Sequence, residues 1–300
     1  MFLMTDTLNM HRKKFFYLWA VALICLNGCG KNPKKIPLQQ GDFSARNFDF
    51  SLMEDLQSET LFPPETLVSD NTAPPEIWDT SDVDVSQIDP SRKLIAFTFD
   101  DAPTRKLENL FAVFANYNEN NLDCKAFATL FFNGSLFDNE NMQLLHTALA
   151  LNFELGNHTF QHLDLSTLSE QEIQAEIAKT DEVLQRADGK PYHLLRAPFG
   201  RINDLVKKVT PTPIIDWTID TIDWTGTSAE SIYDTVMQNC FSGAIVLFHD
   251  GYTSTIEALK RLLPDLKDKG YQIVSVSQLA KMHGCVLKRG KVYIRARKQG

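Results

Sequence analysis

The pattern of apolar and polar residues along the chain predicts short buried strands that alternate with amphipathic helices. Apolar runs of strand length, rich in aromatic and β-branched residues, lie at residues 94–99, 125–132, 214–219, 244–248 and 272–276. Helical spacing of apolar residues among charged ones runs through 166–185, where Ser169 and Glu172 have the spacing of a capping box, and through 255–269. Strands that alternate with helices indicate an α/β fold with a mostly parallel sheet or barrel, in which chemistry gathers at the carboxyl ends of the strands.

The N-terminal segment has the order of features that is typical of an export signal. Positive residues at 11–14 precede an apolar run at 15–26, which is shorter than the roughly 20 residues of a membrane-spanning helix. The run ends at Gly28-Cys29, which resembles the lipobox of bacterial lipoproteins, although a buried helix that contains a cysteine would have the same composition. We therefore predict a lipoprotein signal peptide at 1–28, lipidation of Cys29, and a membrane-anchored protein of the cell envelope that faces the periplasm or the exterior.

Composition divides the remainder into three regions. Between residues 42 and 89 the chain has twelve Asp or Glu residues and a single Lys or Arg, with several prolines, so residues 29–90 are predicted to be an acidic, Pro-rich tether. The main folded domain is placed at 91–282. Residues 281–300 carry seven Lys or Arg residues and no Asp or Glu, and 283–300 is predicted to be a basic tail or a solvated edge hairpin. Binding of this basic segment to an anionic polymer is the alternative, while the net charge of −8 gives no reason to expect a nucleic-acid partner.

Two adjacent carboxylates follow the first predicted strand. Asp100 and Asp101 come directly after the apolar run and before Ala102-Pro103. Neighbouring carboxylates repel each other unless a cation or a proton is shared, so one could bind a metal ion while the other acts as a base. A solvated turn that uses aspartate as a local acceptor before proline explains the same residues equally well.

Two histidines follow further along the chain. His158 and His162 are four residues apart, which would place them on one face of a helical turn, where they could converge on one ion. Two histidines and a carboxylate form an open catalytic zinc site in many hydrolases. A pair of surface histidines, or a core histidine bonded to the backbone, remains open on this spacing alone.

Five clusters of polar residues, taken in chain order, resemble one protein family. The clusters are Thr98 to Asp101, His158 to His162, Arg196 to Gly200, Asp220 to Trp224 and Leu247 to His249. They are similar to the TFDD, H-S/T-x-x-H, RxPxG, DxxDW and LxH motifs of the polysaccharide deacetylase family, which is also called carbohydrate esterase family 4 or the NodB homology domain. The resemblance covers roughly residues 92–279.

The resemblance implies a fold and an activity. The fold would be a distorted (β/α) barrel of the NodB type. The protein would be a monomer. The activity would be metal-dependent hydrolysis of acetyl groups from N-acetylated sugars of a polysaccharide, with peptidoglycan or another N-acetylglucosamine-containing glycan as substrate. The alternatives are an O-acetyl esterase on a xylan-like polymer, a glycan-binding lipoprotein without turnover, and a structural cell-envelope protein whose histidines bind metal only to stabilise it.

The resemblance also implies a metal centre with a base beside it. Asp101, His158 and His162 would hold Zn²⁺, or Co²⁺ or another divalent metal. Asp100 would be the general base that takes a proton from the attacking water, and Arg196 would hold Asp100 in place.

The remaining motif residues would complete an acid and a substrate pocket. His249 would be the general acid that protonates the leaving amine, and Asp223 would pair with it. Trp224 and Leu247 would line the acetyl pocket, and the backbone N–H of Phe199 would help to stabilise the oxyanion.

The sequence departs from the family pattern at one position. The first motif of the family continues with Gly-Pro, whereas this chain has Ala102 before Pro103. We expect the turn to tolerate alanine provided that its φ angle is negative.

Overall fold

The computed structural model of the chain describes residues 73–297. The predicted signal peptide with Cys29, and most of the predicted tether, lie outside the described residues. Within 73–297, no helix combines the length and the apolar character that a membrane span needs.

Strands and helices alternate along most of this range. The strands are β1 Lys93–Ala102, β2 Thr129–Phe132, β3 Glu154–Asn157, β4 Ile214–Ile215, β5 Ile219–Asp220, β6 Ile245–His249, β7 Tyr271–Val274 and β8 Val292–Tyr293. The α-helices are α1 Leu107–Asn120, α2 Gln143–Ala150, α3 Glu170–Asp188, α4 Asp204–Val209, α5 Ala229–Asn239, α6 Thr253–Asp268 and α7 Val276–His283.

The strand β1 lies at the centre of a parallel sheet. The order is β3-β2-β1-β6-β5, and β7 pairs with the first residues of β1. The register places Asp100 of β1 opposite His249 of β6. Because all these pairings are parallel, the carboxyl ends of the strands lie at one edge of the sheet.

Isolated bridges and a second pair of strands continue the sheet towards closure. Leu195 bridges Asn157 on one side and Ile214 on the other, and β4 pairs in parallel with β8. An antiparallel bridge between Ala244 and Arg295 then returns to the start of β6. The α/β fold is therefore a distorted barrel, as the sequence predicts.

Aromatic side chains of β1 form the centre of the core. Phe97 and Phe99 are fully buried and contact the ring of Phe248 on β6, at centroid distances of 4.9 and 5.2 Å. Phe114 of α1 meets Phe99 edge-on at 6.1 Å. Burial of each such side chain contributes about 2–3 kcal/mol, so β1 is firmly fixed where its polar end emerges.

The predicted capping box at the start of α3 is present. The Ser169 hydroxyl accepts from the Glu172 amide, and the Glu172 carboxylate accepts from the Ser169 amide. The predicted strand at 214–219 is instead divided into β4 and β5, because residues 216–218 leave the strand path between them.

The domain begins earlier than composition indicates. Residues 73–90, which the sequence assigns to the tether, pack on the domain. Trp78 donates its indole N–H to Ser277 and its amide to Leu287, and Ile88 is buried. The apolar residues of this segment are too far apart to form a periodic pattern. Its acidic composition therefore predicted a tether and gave no sign of the packing.

The basic C-terminal segment does not form a solvated hairpin. A turn forms between Lys288 and Lys291, but its two arms pair with different partners. Ile77 bridges Lys288 on one side, and β8 joins β4 on the other. Tyr293 is buried because the segment fills the gap between β4 and the start of β6.

Candidate active site

The carboxyl ends of several strands bring the motif residues together. Asp100 and Asp101 lie at the end of β1, and His249 ends β6. The chain leaves β3 at Asn157 and continues into His158. Arg196 lies beside the end of β3, where its amide donates to the Asn157 carbonyl.

Asp101, His158 and His162 converge on one point. A ligand atom from each side chain lies within 4.8 Å of the other two. The Asp101 carboxylate is 3.6 Å from Nε2 of His158 and 3.3 Å from Nε2 of His162. The structure therefore brings together the three residues that the sequence predicts as metal ligands.

The helical turn predicted for the two histidines is wrong. Residues 158–162 form a loop in which Thr159 and His162 have φ angles of +67° and +57°. The two imidazole rings meet at a centroid distance of 4.9 Å. Their convergence comes from left-handed residues that fold the loop back on itself and not from helical periodicity.

The protonation of the cluster suits a divalent cation. His158 donates from Nδ1 to the Arg196 carbonyl at 2.8 Å, so its Nε2 faces Asp101. Burial lowers the pKa of His162, and the neighbouring His158 lowers it further, so the ring is neutral at physiological pH. One carboxylate and two imidazoles form a donor set that fits Zn²⁺ or Co²⁺, with positions left for water and substrate.

Asp100 is a buried carboxylate that Arg196 holds in place. Arg196 is fully buried and donates from Nη1 to Asp100 at 2.9 Å and to the Thr98 hydroxyl at 2.6 Å. Its remaining donors reach the carbonyls of Ile215 and Asp216. The guanidinium therefore fixes the orientation of Asp100, whose second oxygen is 3.7 Å from Nε2 of His158.

His249 and Asp223 form a second charged pair. The carboxylate of Asp223 is completely buried, and Nδ1 of His249 donates to it at 2.7 Å. The amide of His249 and the Thr255 hydroxyl donate to the other carboxylate oxygen. Burial by itself would lower the pKa of His249, but the hydrogen bond with Asp223 and the charge of Asp100 raise it above the usual value.

The three predicted substrate residues differ in exposure. Phe199 is 61% exposed, with φ +60°, and its ring lies 4.7 Å from that of His162. Its amide is at the start of a 3₁₀ turn, where N–H groups have no partner within the turn. Trp224 is 55% exposed, whereas Leu247 is buried within β6. Their contacts with a substrate remain a prediction.

Several supporting residues were not predicted from the sequence. Thr255 bonds Asp223 across 32 positions of the chain, and no local pattern marks it. Asp250 accepts from the Thr104 amide, and its own amide donates to the Asp100 carbonyl, so it ties β1 to β6. Burial raises the pKa of Asp250 to about 6. Its position next to His249 in sequence was the only available indication.

Alanine at position 102 meets the condition set from the sequence. Ala102 is buried and is absent from the described residues with positive φ, whereas Asp101 has φ +64°. The residue with a left-handed backbone in this turn is therefore Asp101. Aspartate tolerates this conformation better than most residues do.

Comparison with known sequences gives a consistent assignment. The family model described as polysaccharide deacetylase matches residues 87–211. The chain is 35% identical over 201 residues to a peptidoglycan-N-acetylglucosamine deacetylase of Bacillus cereus, an alignment that covers 63% of the chain and 89% of the relative. It is 33% identical over 193 residues to the peptidoglycan-N-acetylmuramic acid deacetylase PdaC of Bacillus subtilis, covering 64% of the chain but 40% of that longer relative.

A solved structure described as a T48 deacetylase with substrate is similar at a TM-score of 0.63 and 28% identity. The match covers 69% of the chain and 99% of that structure. The family model covers the first three of the five motifs, and the sequence and fold comparisons agree on the same family. The chain belongs to the polysaccharide deacetylase family.

Proposed function

We propose that this chain is a metal-dependent hydrolase that removes acetyl groups from N-acetylated sugars of a cell-envelope glycan. One observation carries the proposal. Asp100 and His249 are in register on neighbouring strands, beside the Asp101, His158 and His162 cluster. A buried carboxylate and a histidine with a raised pKa thus provide a base and an acid at one site.

The metal site has a defined part in this reaction. Asp101, His158 and His162 would hold the ion, which we expect to be Zn²⁺ or Co²⁺. When bound, such an ion polarises the acetyl carbonyl and makes water more acidic. The donor set and its convergence support this assignment.

Asp100 acts first, as the general base. An amide is a poor electrophile, so the attacking water must lose a proton as its oxygen bonds to the carbonyl carbon. Asp100 accepts that proton, and Arg196 keeps the carboxylate oriented towards the site. The Phe199 amide donates to the developing oxyanion, an interaction typically worth about 3 kcal/mol.

His249 acts second, as the general acid. The carbon–nitrogen bond breaks productively only when the nitrogen gains a proton, which His249 donates. Asp223 holds the imidazole through Nδ1, so Nε2 is the atom that delivers the proton. The products are acetate and a free amino sugar.

We infer that the substrate is peptidoglycan. The two relatives described above are named as peptidoglycan deacetylases, one acting on N-acetylglucosamine and the other on N-acetylmuramic acid. A monomer anchored through lipid on Cys29, facing the periplasm or the exterior, would lie beside this polymer. The apolar run at 15–26 followed by Cys29 supports the anchor.

Acetate release from defined glycans tests the proposal. The wild type is incubated with Zn²⁺ or Co²⁺ on chitin oligomers, peptidoglycan and acetylxylan, beside Asp100→Asn and His249→Ala. We expect each variant to lose about 10²-fold or more of the wild-type rate on the preferred glycan. The control is His146→Ala, which alters an exposed histidine on α2 and should leave the rate unchanged.

Three outcomes would contradict the proposal in different ways. Equal rates in wild type, Asp100→Asn and His249→Ala would refute catalysis at this site. Tight glycan binding without acetate release would indicate a binding protein. A clear preference for acetylxylan would indicate an O-acetyl esterase and refute the choice of peptidoglycan.

A further inference from the structure

A buried cluster of charged side chains lies behind the metal site and takes no part in the proposed reaction. His193 is 2% exposed and lies between two carboxylates of α3. Its Nδ1 is 2.9 Å from Asp181, and its Nε2 is 3.2 Å from Asp188. Between two ionised carboxylates, a neutral imidazole would direct a lone pair at one of them, so the geometry favours protons on both nitrogens.

The charge on His193 agrees with this geometry. Burial alone would lower the pKa of His193, but the hydrogen bonds with Asp181 and Asp188 raise it to about 9. The ring is therefore a buried cation at neutral pH. Its two carboxylate partners are fixed along one face of α3, seven residues apart.

The cluster continues into Asn157, the residue before His158. Nδ2 of Asn157 donates to Asp181 at 2.9 Å and to the Ile177 carbonyl at 2.9 Å. Oδ1 of Asn157 accepts from the Thr159 amide at 2.8 Å. Because the amide group has acceptors at one end and a donor at the other, its orientation is fixed.

The bond to Thr159 stabilises an unfavourable backbone. Thr159 is β-branched and buried, with φ +67°, a conformation that is unfavourable for a residue with a branched Cβ. The amide of His158 is held separately by the Phe132 carbonyl. The Asn157 side chain thus fixes the start of the turn between His158 and His162. The Gly134 and Ser135 amides and the Glu176 carboxylate hold the residues that follow.

We propose that the chain of contacts from Asp188 through His193, Asp181 and Asn157 positions the His158–His162 loop for metal binding. Asn157 and His193 are positioning residues, since they act on the metal ligands through the loop and do not touch the ion. The inference rests on the proposed metal site. It adds a determinant of metal affinity on α3 and in the segment before Arg196.

Metal affinity, measured on the full chain, tests the inference. Co²⁺ dissociation constants are determined by chelator competition, and the visible absorption of bound Co²⁺ reports the ligand geometry. We expect His193→Gln to weaken Co²⁺ binding by about ten-fold or more and to change the spectrum. Asp188→Asn keeps a hydrogen-bonding group beside His193, so it should fold and show a smaller loss in the same direction.

Gln272→Met is the matched control. Gln272 is a buried polar residue on β7, bonded to Gln87 and Lys125 and remote from the carboxyl end of the sheet. Its substitution should lower the thermal midpoint while leaving Co²⁺ affinity unchanged.

Two results would overturn the inference. Wild-type Co²⁺ affinity and spectrum in both His193→Gln and Asp188→Asn would show that the cluster only stabilises the fold, while the metal site itself would stand. Absence of Co²⁺ binding by the wild type would refute the proposed metal site, and the inference with it.

Discussion

Asp223 shows how one residue can set the chemistry of another. Its buried carboxylate accepts from the ring and the amide of His249 and from the Thr255 hydroxyl. These bonds stabilise the ionised carboxylate without exposure to water. The resulting negative charge keeps His249 protonated to higher pH, so its capacity as an acid depends on Asp223.

The substitution Asp223→Asn should therefore shift the pH dependence of the reaction. Without the negative charge, the pKa of His249 falls, and the alkaline limb of the kcat/KM profile moves to lower pH by about one unit. The rate at the optimum should also fall, by about 10²-fold. The measurement is acetate release as a function of pH with saturating Co²⁺.

A control separates this effect from a general loss of charge. Glu257→Gln removes an exposed carboxylate on α6 that pairs with nearby Lys260. Its profile should match the wild type. An alkaline limb that stays in place in Asp223→Asn would contradict the role given to this carboxylate.

Among the elements, β3 has little freedom because a neighbouring ring occupies the space beside it. A Cβ atom on Gly156 would lie 2.5 Å from the ring of Phe131 on β2. The same ring packs against the guanidinium of Arg196, 4.3 Å from its centroid. The backbone of β3 is therefore coupled to the residue that orients Asp100.

The substitution Gly156→Ala should disturb both stability and catalysis. Displacement of Phe131 should reduce the free energy of unfolding by about 1–3 kcal/mol. Because Arg196 rests on this ring, the deacetylation rate per folded molecule should fall as well. Urea unfolding and acetate release, measured on the same preparation, test the two effects.

Gly189→Ala is the matched glycine variant. Gly189 follows α3 with φ +75° and has no atom within 4 Å of an added Cβ. It should lose about 1 kcal/mol of stability through its backbone and keep full activity. Equal activity in both alanine variants would refute the coupling through Phe131.

The charged cluster on α3 gives the fold a pH dependence. His193 has a pKa of about 9, above its ordinary value of 6.5, because the folded state binds the proton more tightly. Its contribution to stability is complete below pH 6.5 and is lost as the pH rises through about 9. The free energy of unfolding of the wild type should therefore decline across this window.

Urea unfolding at several pH values, for wild type and His193→Gln, measures that contribution. The difference in stability between the two proteins should be greatest near pH 6 and should shrink towards pH 9. A constant difference across the window would contradict the cationic assignment of His193.

The sequence pattern predicted the strands, helices and motif clusters that are determined by residues adjacent in the chain. The run before Asp100 has strand composition throughout, and the five clusters are short enough to read directly. The loop at 158–162 was misassigned because a spacing of four fits both a helical turn and a left-handed loop. Thr255 and Asn157 could not be assigned roles, since their partners are known only once α6 and α3 are placed.

At the scale of the whole molecule, the C-terminal segment completes the barrel. The strand β8 pairs with β4, and the Asp216 amide donates to the Tyr293 carbonyl. The carbonyls of Ile215 and Asp216 accept in turn from Arg196. The segment predicted from composition to be a basic tail or a solvated hairpin thus supports Arg196, which is fully buried in the site.

Truncation after Lys291 should therefore cost both stability and activity. Loss of buried Tyr293 and of the β8 pairing should reduce the free energy of unfolding by at least about 3 kcal/mol. The residual folded protein should also release acetate more slowly, because β4 no longer holds Arg196 firmly. Ile294→Thr, which alters an exposed side chain and keeps the backbone, should resemble the wild type.

The position of β8 also sets an order of events during biosynthesis. A chain that is still emerging from a ribosome can form β1, the loop of histidines and β6 before Val292 and Tyr293 are released. The partners of Arg196 on β4 remain unsupported until then. Full hydrolytic competence should therefore arise only once Val292 and Tyr293 have been released, and products that terminate before them should hydrolyse the polymer more slowly.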